Sequence, residues 1–119
     1  MAKILIIDDE PEIVSILGEF LRKKNFEVIE CEGGRQGIDK INSGEPFDLL
    51  LLDIKMPGVD GPGILEELRK QGRKVPVILI TGTVRDYSKK LGVDVILRKP
   101  VDLNELLSKI NELLGIKQI

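Results

Sequence analysis

The chain has 119 residues, a length that fits one domain, and its 42% hydrophobic and 32% charged residues exclude a disordered or fibrous protein. The 18 basic and 20 acidic residues give a net charge of -2, which gives no reason to expect direct nucleic-acid binding. Histidine is absent and Cys31 is the only cysteine, which excludes Ser-His and Cys-His catalytic pairs, histidine-bound metals and an internal disulfide.

The first half of the chain contains two predicted strand–helix pairs. The apolar run 4–7 is too short for a packed helix and is typical of a strand buried on both faces. A first helix, with Pro11 in its first turn, is predicted by an apolar stripe at helical spacing, which consists of Ile13, Val14, Ile16, Leu17, Phe20 and Leu21. Residues 26–31 alternate apolar and polar side chains, which favours an edge strand, and Ile38 and Ile41 mark a short second helix.

The second half continues the alternation. Three further buried strands are predicted by the apolar runs 49–52, 77–80 and 95–97. A third helix follows Pro62 and is marked by Ile64, Leu65 and Leu68. Segment 84–91 has enough apolar residues for two helical turns at most. Asp102 is a plausible cap for the last helix, whose stripe comprises Leu103, Leu106, Leu107, Ile110, Leu113 and Leu114.

This strict alternation of strands and helices predicts one α/β domain with a parallel sheet and helices on both faces. No apolar run reaches the length of a signal-peptide core or a membrane span, so we expect a cytoplasmic protein without membrane insertion. In such sheets, functional sites form beyond the carboxyl ends of the strands.

Polar residues stand at those strand ends. Asp8 and Asp9 follow the first strand, Asp53 ends the third, Thr81 ends the fourth and Lys99 follows the fifth. Crowded carboxylates repel one another, and a hard cation such as Mg²⁺, which prefers oxygen ligands, would compensate for this repulsion. With a lysine and a hydroxyl nearby, the site is suited to a phosphoryl group, and a carboxylate there could act as its nucleophile.

Four short motifs carry a resemblance to a known family. They are IIDDE (6–10), LDIKMPGVDG (52–61), ITG (80–82) and KP (99–100). In their order and approximate spacing they resemble the receiver domain of bacterial two-component response regulators, from residue 3 to about 114. The resemblance implies a single receiver domain over 1–119, doubly wound, with a five-stranded parallel sheet in the flavodoxin-like order 2-1-3-4-5.

The resemblance also implies a role for each matching position. Asp53 would accept the phosphoryl group, and Mg²⁺ would be held by Asp8, Asp9, Asp53 and the backbone carbonyl of Lys55. The phosphoryl donor would be a sensor histidine kinase or a phosphotransfer protein. The protein would then be a signalling switch that acts on an unknown downstream target. It would be no enzyme beyond assisting its own phosphorylation and dephosphorylation.

Two further residues complete the implied switch. Lys99 would pair with the phosphoryl oxygens, and the Lys99-Pro100 peptide is expected to be cis. Thr81 would shift toward the phosphoryl group, changing the surface around the fourth helix, the fifth strand and the last helix.

Three features depart from the family pattern. Ile96 occupies the usual aromatic switch position, three residues before the lysine. Only 18 positions separate Thr81 from Lys99, which predicts a shortened fourth helix. The chain ends at Ile119 without an output domain, as in stand-alone receivers such as the chemotaxis regulator or the sporulation phosphorelay intermediate, although a fragment of a longer protein would look the same.

Three other functions compete with this one. A haloacid-dehalogenase-type phosphatase needs a second Asp two residues after its nucleophile, where this chain has Lys55. A flavodoxin-like flavin site needs a phosphate-binding loop after the first strand, where residues 8–10 are all acidic. The remaining alternative is a receiver-like protein-interaction module that is never phosphorylated.

Overall fold

The computed structural model describes residues 1–53, 61–82 and 92–117. Its elements, in chain order, are β1 (Lys3–Asp8), α1 (Pro11–Lys23), β2 (Glu27–Glu32), α2 (Gly34–Asn42), β3 (Leu49–Asp53), α3 (Gly61–Lys70), β4 (Val77–Thr81), β5 (Val95–Arg98) and a C-terminal helix (Leu103–Leu114). The shortened helix predicted within 84–91 lies outside the described residues.

All strand pairs in the sheet are parallel, and the strand order is β2-β1-β3-β4-β5. This confirms the predicted doubly wound sheet. The register places Ile7 beside Leu52, and Leu52 beside Leu79. Because the strands run in one direction, their carboxyl ends meet at one edge of the sheet, where β1 and β3 are neighbours.

Alternate residues of the central strands face two separate apolar layers. Leu5 and Ile7 belong to the layer that contains residues of α2 and α3. Ile4 and Ile6 belong to the layer that contains residues of α1 and the C-terminal helix. Both layers are needed because every β3 and β4 residue is buried, which is what their continuous apolar runs predicted.

The structure confirms the prediction for one edge strand and corrects the prediction for the other. The prediction for β2 is confirmed: it lies at one edge, and Cys31 is its one buried residue. The prediction that β5 is buried on both faces is wrong for Val95 and Ile96, which are only partly buried. The reason is that β5 forms the opposite edge of the sheet.

The C-terminal helix begins as predicted. The Asp102 carboxylate accepts hydrogen bonds from the backbone N–H groups of Asn104 and Glu105, at 2.9 and 3.1 Å. Gly115 ends the helix in the left-handed conformation, with φ of 69°, which glycine adopts without steric cost. Among the helices that the structure describes, none has both the length and the apolar character that crossing a membrane would require.

A glycine in α2 sets how closely this helix approaches β1, directly before the strand end that carries Asp8. A Cβ atom on Gly37 would lie 2.5 Å from Ile7 Cδ1 and 3.0 Å from its Cγ1 and Cγ2 atoms. Gly18 of α1 offers a comparison, because a Cβ atom there would meet the Glu30 carboxylate at 2.6 Å. That carboxylate is the far end of a flexible side chain and can rotate away.

We therefore expect Gly37→Ala to lower the free energy of unfolding by about 1–3 kcal/mol, since overpacking outweighs the gain in helix propensity. Gly18→Ala should stay within about 1 kcal/mol of the original chain. Urea denaturation at constant pH measures both values. Equal losses in the two variants would show that the contact with Ile7 does not set the distance between helix and sheet.

Candidate functional site

The site lies at the carboxyl edge of the sheet and contains buried polar residues. Asp8 ends β1 and is 2% exposed, Asp53 ends β3 and is 5% exposed, and Thr81 ends β4 and is 1% exposed. Every buried polar side-chain atom in the described residues has a hydrogen-bond partner. Such polar burial at a sheet edge is costly without partners, which makes these three positions the first candidates for function.

Lys99, directly after β5, connects the carboxylates. Its Nζ atom lies 3.2 Å from Asp53 Oδ2, 3.2 Å from Glu10 Oε1 and 3.4 Å from Asp8 Oδ2. Its backbone N–H donates a 2.9 Å hydrogen bond to the carbonyl oxygen of Thr81. The Lys99-Pro100 peptide is cis, as expected. One lysine thus contacts three acidic side chains and is also tied through its backbone to the end of β4.

Burial dominates the electrostatics of Asp8. The pKa of Asp8 is raised from its ordinary 3.8 to about 6, mainly by removal of the carboxyl from water and to a smaller extent by the negative charge of Asp53. The Glu10 backbone N–H, which donates to Asp8 Oδ1 at 2.9 Å, and the charge of Lys99 oppose this shift. Burial also lowers the pKa of Lys99, but the charges of Asp8 and Asp53, together with the hydrogen bonds to Glu10 and Asp53, outweigh that effect, so the pKa of Lys99 is raised above its ordinary value.

The carboxylates form a set that suits a divalent cation. Oxygen atoms of Asp8, Asp9, Glu10 and Asp53 all lie within 4.8 Å of one another. Asp8 and Asp53 are buried, Asp9 is half-buried and Glu10 is exposed, so the cluster opens to solvent on one side. Hard oxygen donors that are partly accessible to water fit Mg²⁺, which keeps several of its water ligands. The fourth predicted ligand, the carbonyl of Lys55, lies outside the described residues.

The structure thus brings together Asp8, Asp9, Asp53 and Lys99. Thr81 joins them through the backbone hydrogen bond to Lys99. Sequence reasoning missed Glu10, which it treated only as part of a motif. Its position directly after two acidic residues was the available signal, but the contact with Lys99 spans 89 positions and depends on the fold.

The comparisons with known proteins agree with this geometry. The sequence model of the response regulator receiver domain matches residues 4–111. The chain belongs to the response regulator receiver domain family. The predicted resemblance is therefore confirmed, and the chain is a signalling domain of two-component systems.

Named relatives show how far the similarity extends. The transcriptional regulatory protein CpxR of Escherichia coli is 37% identical over 118 residues, which cover 96% of this chain and 50% of CpxR. The receiver thus spans about half the length of the curated relatives it matches.

Two solved structures share the receiver fold. A receiver domain protein from Methanospirillum hungatei is 33% identical, with a TM-score of 0.89 over 97% of this chain and 94% of that one. The response regulator TrrA from Thermotoga maritima, solved in complex with Mg²⁺-BeF, is 34% identical, with a TM-score of 0.83 over 95% of this chain and 99% of that one. The roles of individual residues in this chain stay predictions.

The buried charge of Asp8 predicts a pH-dependent stability in the metal-free protein. Since the pKa of Asp8 is raised on folding, protonated Asp8 favours the folded state. Its contribution to the free energy of unfolding is complete below about pH 4 and is lost as pH rises through about 6. Asp8→Asn retains the Oδ1 acceptor but carries no charge. We expect this variant to be more stable than the original chain at pH 7, by up to about 3 kcal/mol, with the difference vanishing toward pH 4.

Urea denaturation in EDTA across this pH range measures the effect. Asp39→Asn, at an exposed position of α2, serves as the control and should change little. If Asp8→Asn were less stable at pH 7, the attraction between Asp8 and Lys99 would outweigh the cost of burying the carboxylate.

Proposed function

We propose that this receiver is a phosphoacceptor switch, which takes a phosphoryl group from a sensor histidine kinase or a phosphotransfer protein onto Asp53. The observation that carries the proposal is the Asp53 carboxylate, buried at a strand end with the Lys99 ammonium 3.2 Å away and further carboxylates beside it. The whole chain, 1–119, would act as a single receiver domain in the cytoplasm.

In this proposal, Asp8, Asp9 and Asp53 would hold Mg²⁺ through their carboxylates, together with the backbone carbonyl of Lys55. Bound Mg²⁺ would supply positive charge to the phosphoryl oxygens during transfer. The oxygen-rich donor set supports this assignment, as does the Mg²⁺-BeF complex of the related TrrA.

The chain's own residues would then carry out the transfer. An Asp53 carboxylate oxygen forms a bond to phosphorus while the P–N bond of the donor phosphohistidine breaks, and the bonding electrons return to the donor nitrogen. Lys99 would pair with the phosphoryl oxygens during transfer, because its ammonium already contacts Asp53. The donor histidine lies outside these 119 residues, since they contain no histidine.

The output of the switch would pass through Thr81 and β5. Thr81 is buried at the end of β4, and its carbonyl accepts the backbone N–H of Lys99. A rearrangement of Lys99 at the acceptor would therefore reach both strand ends. Ile96 is aliphatic and partly buried, so the downstream target would read a backbone or packing change on this side of the domain instead of an aromatic rotamer.

An apolar groove beside the acceptor supports the assignment of a protein donor. It has a volume of about 490 Å³, and it is lined by Ile13, Ile16, Leu17, Pro100, Val101 and Leu103, together with Glu10 and Lys99 of the site. Ile16 is 54% exposed, which is unusual for a large aliphatic side chain in α1. Because the groove is continuous with the acidic cluster, an apolar surface of the donor seated there would bring its phosphohistidine toward Asp53.

The first test of the proposal is intact mass after incubation with acetyl phosphate. We expect the original chain to gain one phosphoryl group in the presence of Mg²⁺. In EDTA, its rate of phosphorylation should be lower by at least about tenfold. Asp53→Asn should gain none, because an amide oxygen is a poor nucleophile. Asp39→Asn, which removes an exposed acidic charge that does not belong to the acidic cluster, should react like the original chain. Absence of any adduct, together with absence of Mg²⁺ binding, would favour the never-phosphorylated interaction module.

The groove predicts a second result, specific to a protein donor. Burial of an isoleucine contributes about 1.5–3 kcal/mol, and about 1.4 kcal/mol corresponds to a factor of ten. Ile16→Asp should therefore slow transfer from a phosphorylated histidine kinase domain, chosen by screening for transfer to the original chain, by about tenfold or more. Its rate with acetyl phosphate should not change.

Ile116→Asp is the matched control. Ile116 is also exposed, but it lies beside Met1 and Asn25, near the amino ends of the strands. This variant should accept phosphate from the kinase domain at the original rate. Equal transfer rates for Ile16→Asp and the original chain would exclude the groove as the donor's docking surface.

A further inference from the structure

The Lys99 ammonium contacts two buried carboxylates and one exposed carboxylate. The side chains of Asp8 and Asp53 are 3% and 6% exposed, whereas that of Glu10 is 56% exposed. The ammonium is equally close to Asp53 and Glu10, at 3.2 Å. Lys99 therefore bridges the floor of the site and its open rim.

The position of Glu10 is fixed by its backbone. Its N–H donates to Asp8 Oδ1, and its carbonyl oxygen accepts hydrogen bonds from the N–H groups of Ile13 and Val14 at 3.0 and 3.2 Å. Glu10 is also the N-cap residue of α1, yet its side chain makes no capping hydrogen bond. Because the carboxylate takes no part in capping the helix, it remains available to Lys99.

This arrangement matters when a second cation enters the site. A divalent cation on Asp8 and Asp53 repels the Lys99 ammonium, which then loses part of the attraction that offsets its own burial. Glu10 leaves Lys99 a negative partner at the rim, outside the buried pair. Without the Glu10 carboxylate, Lys99 would depend on Asp8 and Asp53 alone and would compete more strongly with the cation for them.

We propose that Glu10 is a positioning residue for Lys99, which holds the ammonium toward the rim and thereby favours binding of a divalent cation by Asp8, Asp9 and Asp53. The inference rests on the proposed function, because it concerns metal loading of the same site. It differs from a direct role of Glu10, whose carboxylate is close enough to the cluster to attract a cation by itself. The two roles are separable because only the proposed one requires Lys99.

A double-mutant cycle makes this separation. Isothermal titration calorimetry would measure the Mg²⁺ dissociation constant of the original chain, Glu10→Gln, Lys99→Met and the double variant, without any phosphodonor. We expect Glu10→Gln to weaken Mg²⁺ binding about three- to tenfold in the original chain and by less than about twofold when Lys99 is replaced. Lys99→Met alone should strengthen binding, since it removes a competing cation.

Two control variants separate the contact from a general effect of charge, and a denaturation measurement checks folding. Glu12→Gln removes the same charge from an exposed position in the first turn of α1 and should leave the dissociation constant within about twofold. Glu10→Asp keeps the charge on a side chain one methylene shorter and should resemble Glu10→Gln. Urea denaturation in EDTA would confirm that each variant is folded.

The possible outcomes are distinct. Equal weakening by Glu10→Gln with and without Lys99 would overturn the inference and assign Glu10 a direct attraction for the cation. No weakening in the original chain would also overturn it. Failure of the original chain to bind Mg²⁺ at all would instead overturn the proposed metal site, and the inference with it.

Discussion

The contact between one ammonium group and two buried carboxylates is the interaction on which the rest of this site depends. Asp8 and Asp53 are placed side by side because β1 and β3 are neighbouring parallel strands whose apolar residues are buried on both faces. Burying two like charges together is unfavourable, and Lys99 offsets part of that cost. The offset is incomplete, since burial still raises the pKa of Asp8 to about 6. The folded domain therefore retains a local excess of negative charge that a further cation can relieve.

The same contact explains why the end of β5 matters although β5 is a short edge strand. Lys99 reaches the acidic cluster from the residue after that strand, and its backbone N–H is bonded to Thr81 at the end of β4. The position of the ammonium is thus coupled to the backbone of two strands. In a phosphoacceptor switch, this coupling would carry a change of charge at Asp53 toward the partly buried Val95 and Ile96 at the edge of the sheet.

Much of this could be predicted from sequence because the decisive signals are local. Continuous apolar runs identified the buried strands, and parallel direction then forced Asp8, Asp53 and Thr81 to one edge. The partial exposure of β5 could not be read in this way, because its run of Val95, Ile96 and Leu97 has the composition of a central strand. Only the strand order makes it an edge, and that order followed from the family resemblance and not from periodicity.

The environment of Glu10 could not be predicted from the neighbouring sequence. Nothing in the composition of residues 8–10 shows which acidic side chain is buried and which one is exposed beside a lysine 89 positions later. Asp8 is the last residue of β1 and is buried, whereas Glu10 is the N-cap residue of α1 and is exposed. Three consecutive acidic residues therefore occupy three environments, buried, half-buried and exposed. The three carboxylates of this motif therefore differ in how much hydration they lose on folding. Glu10, the exposed one, can change its charged partner at the lowest cost in desolvation.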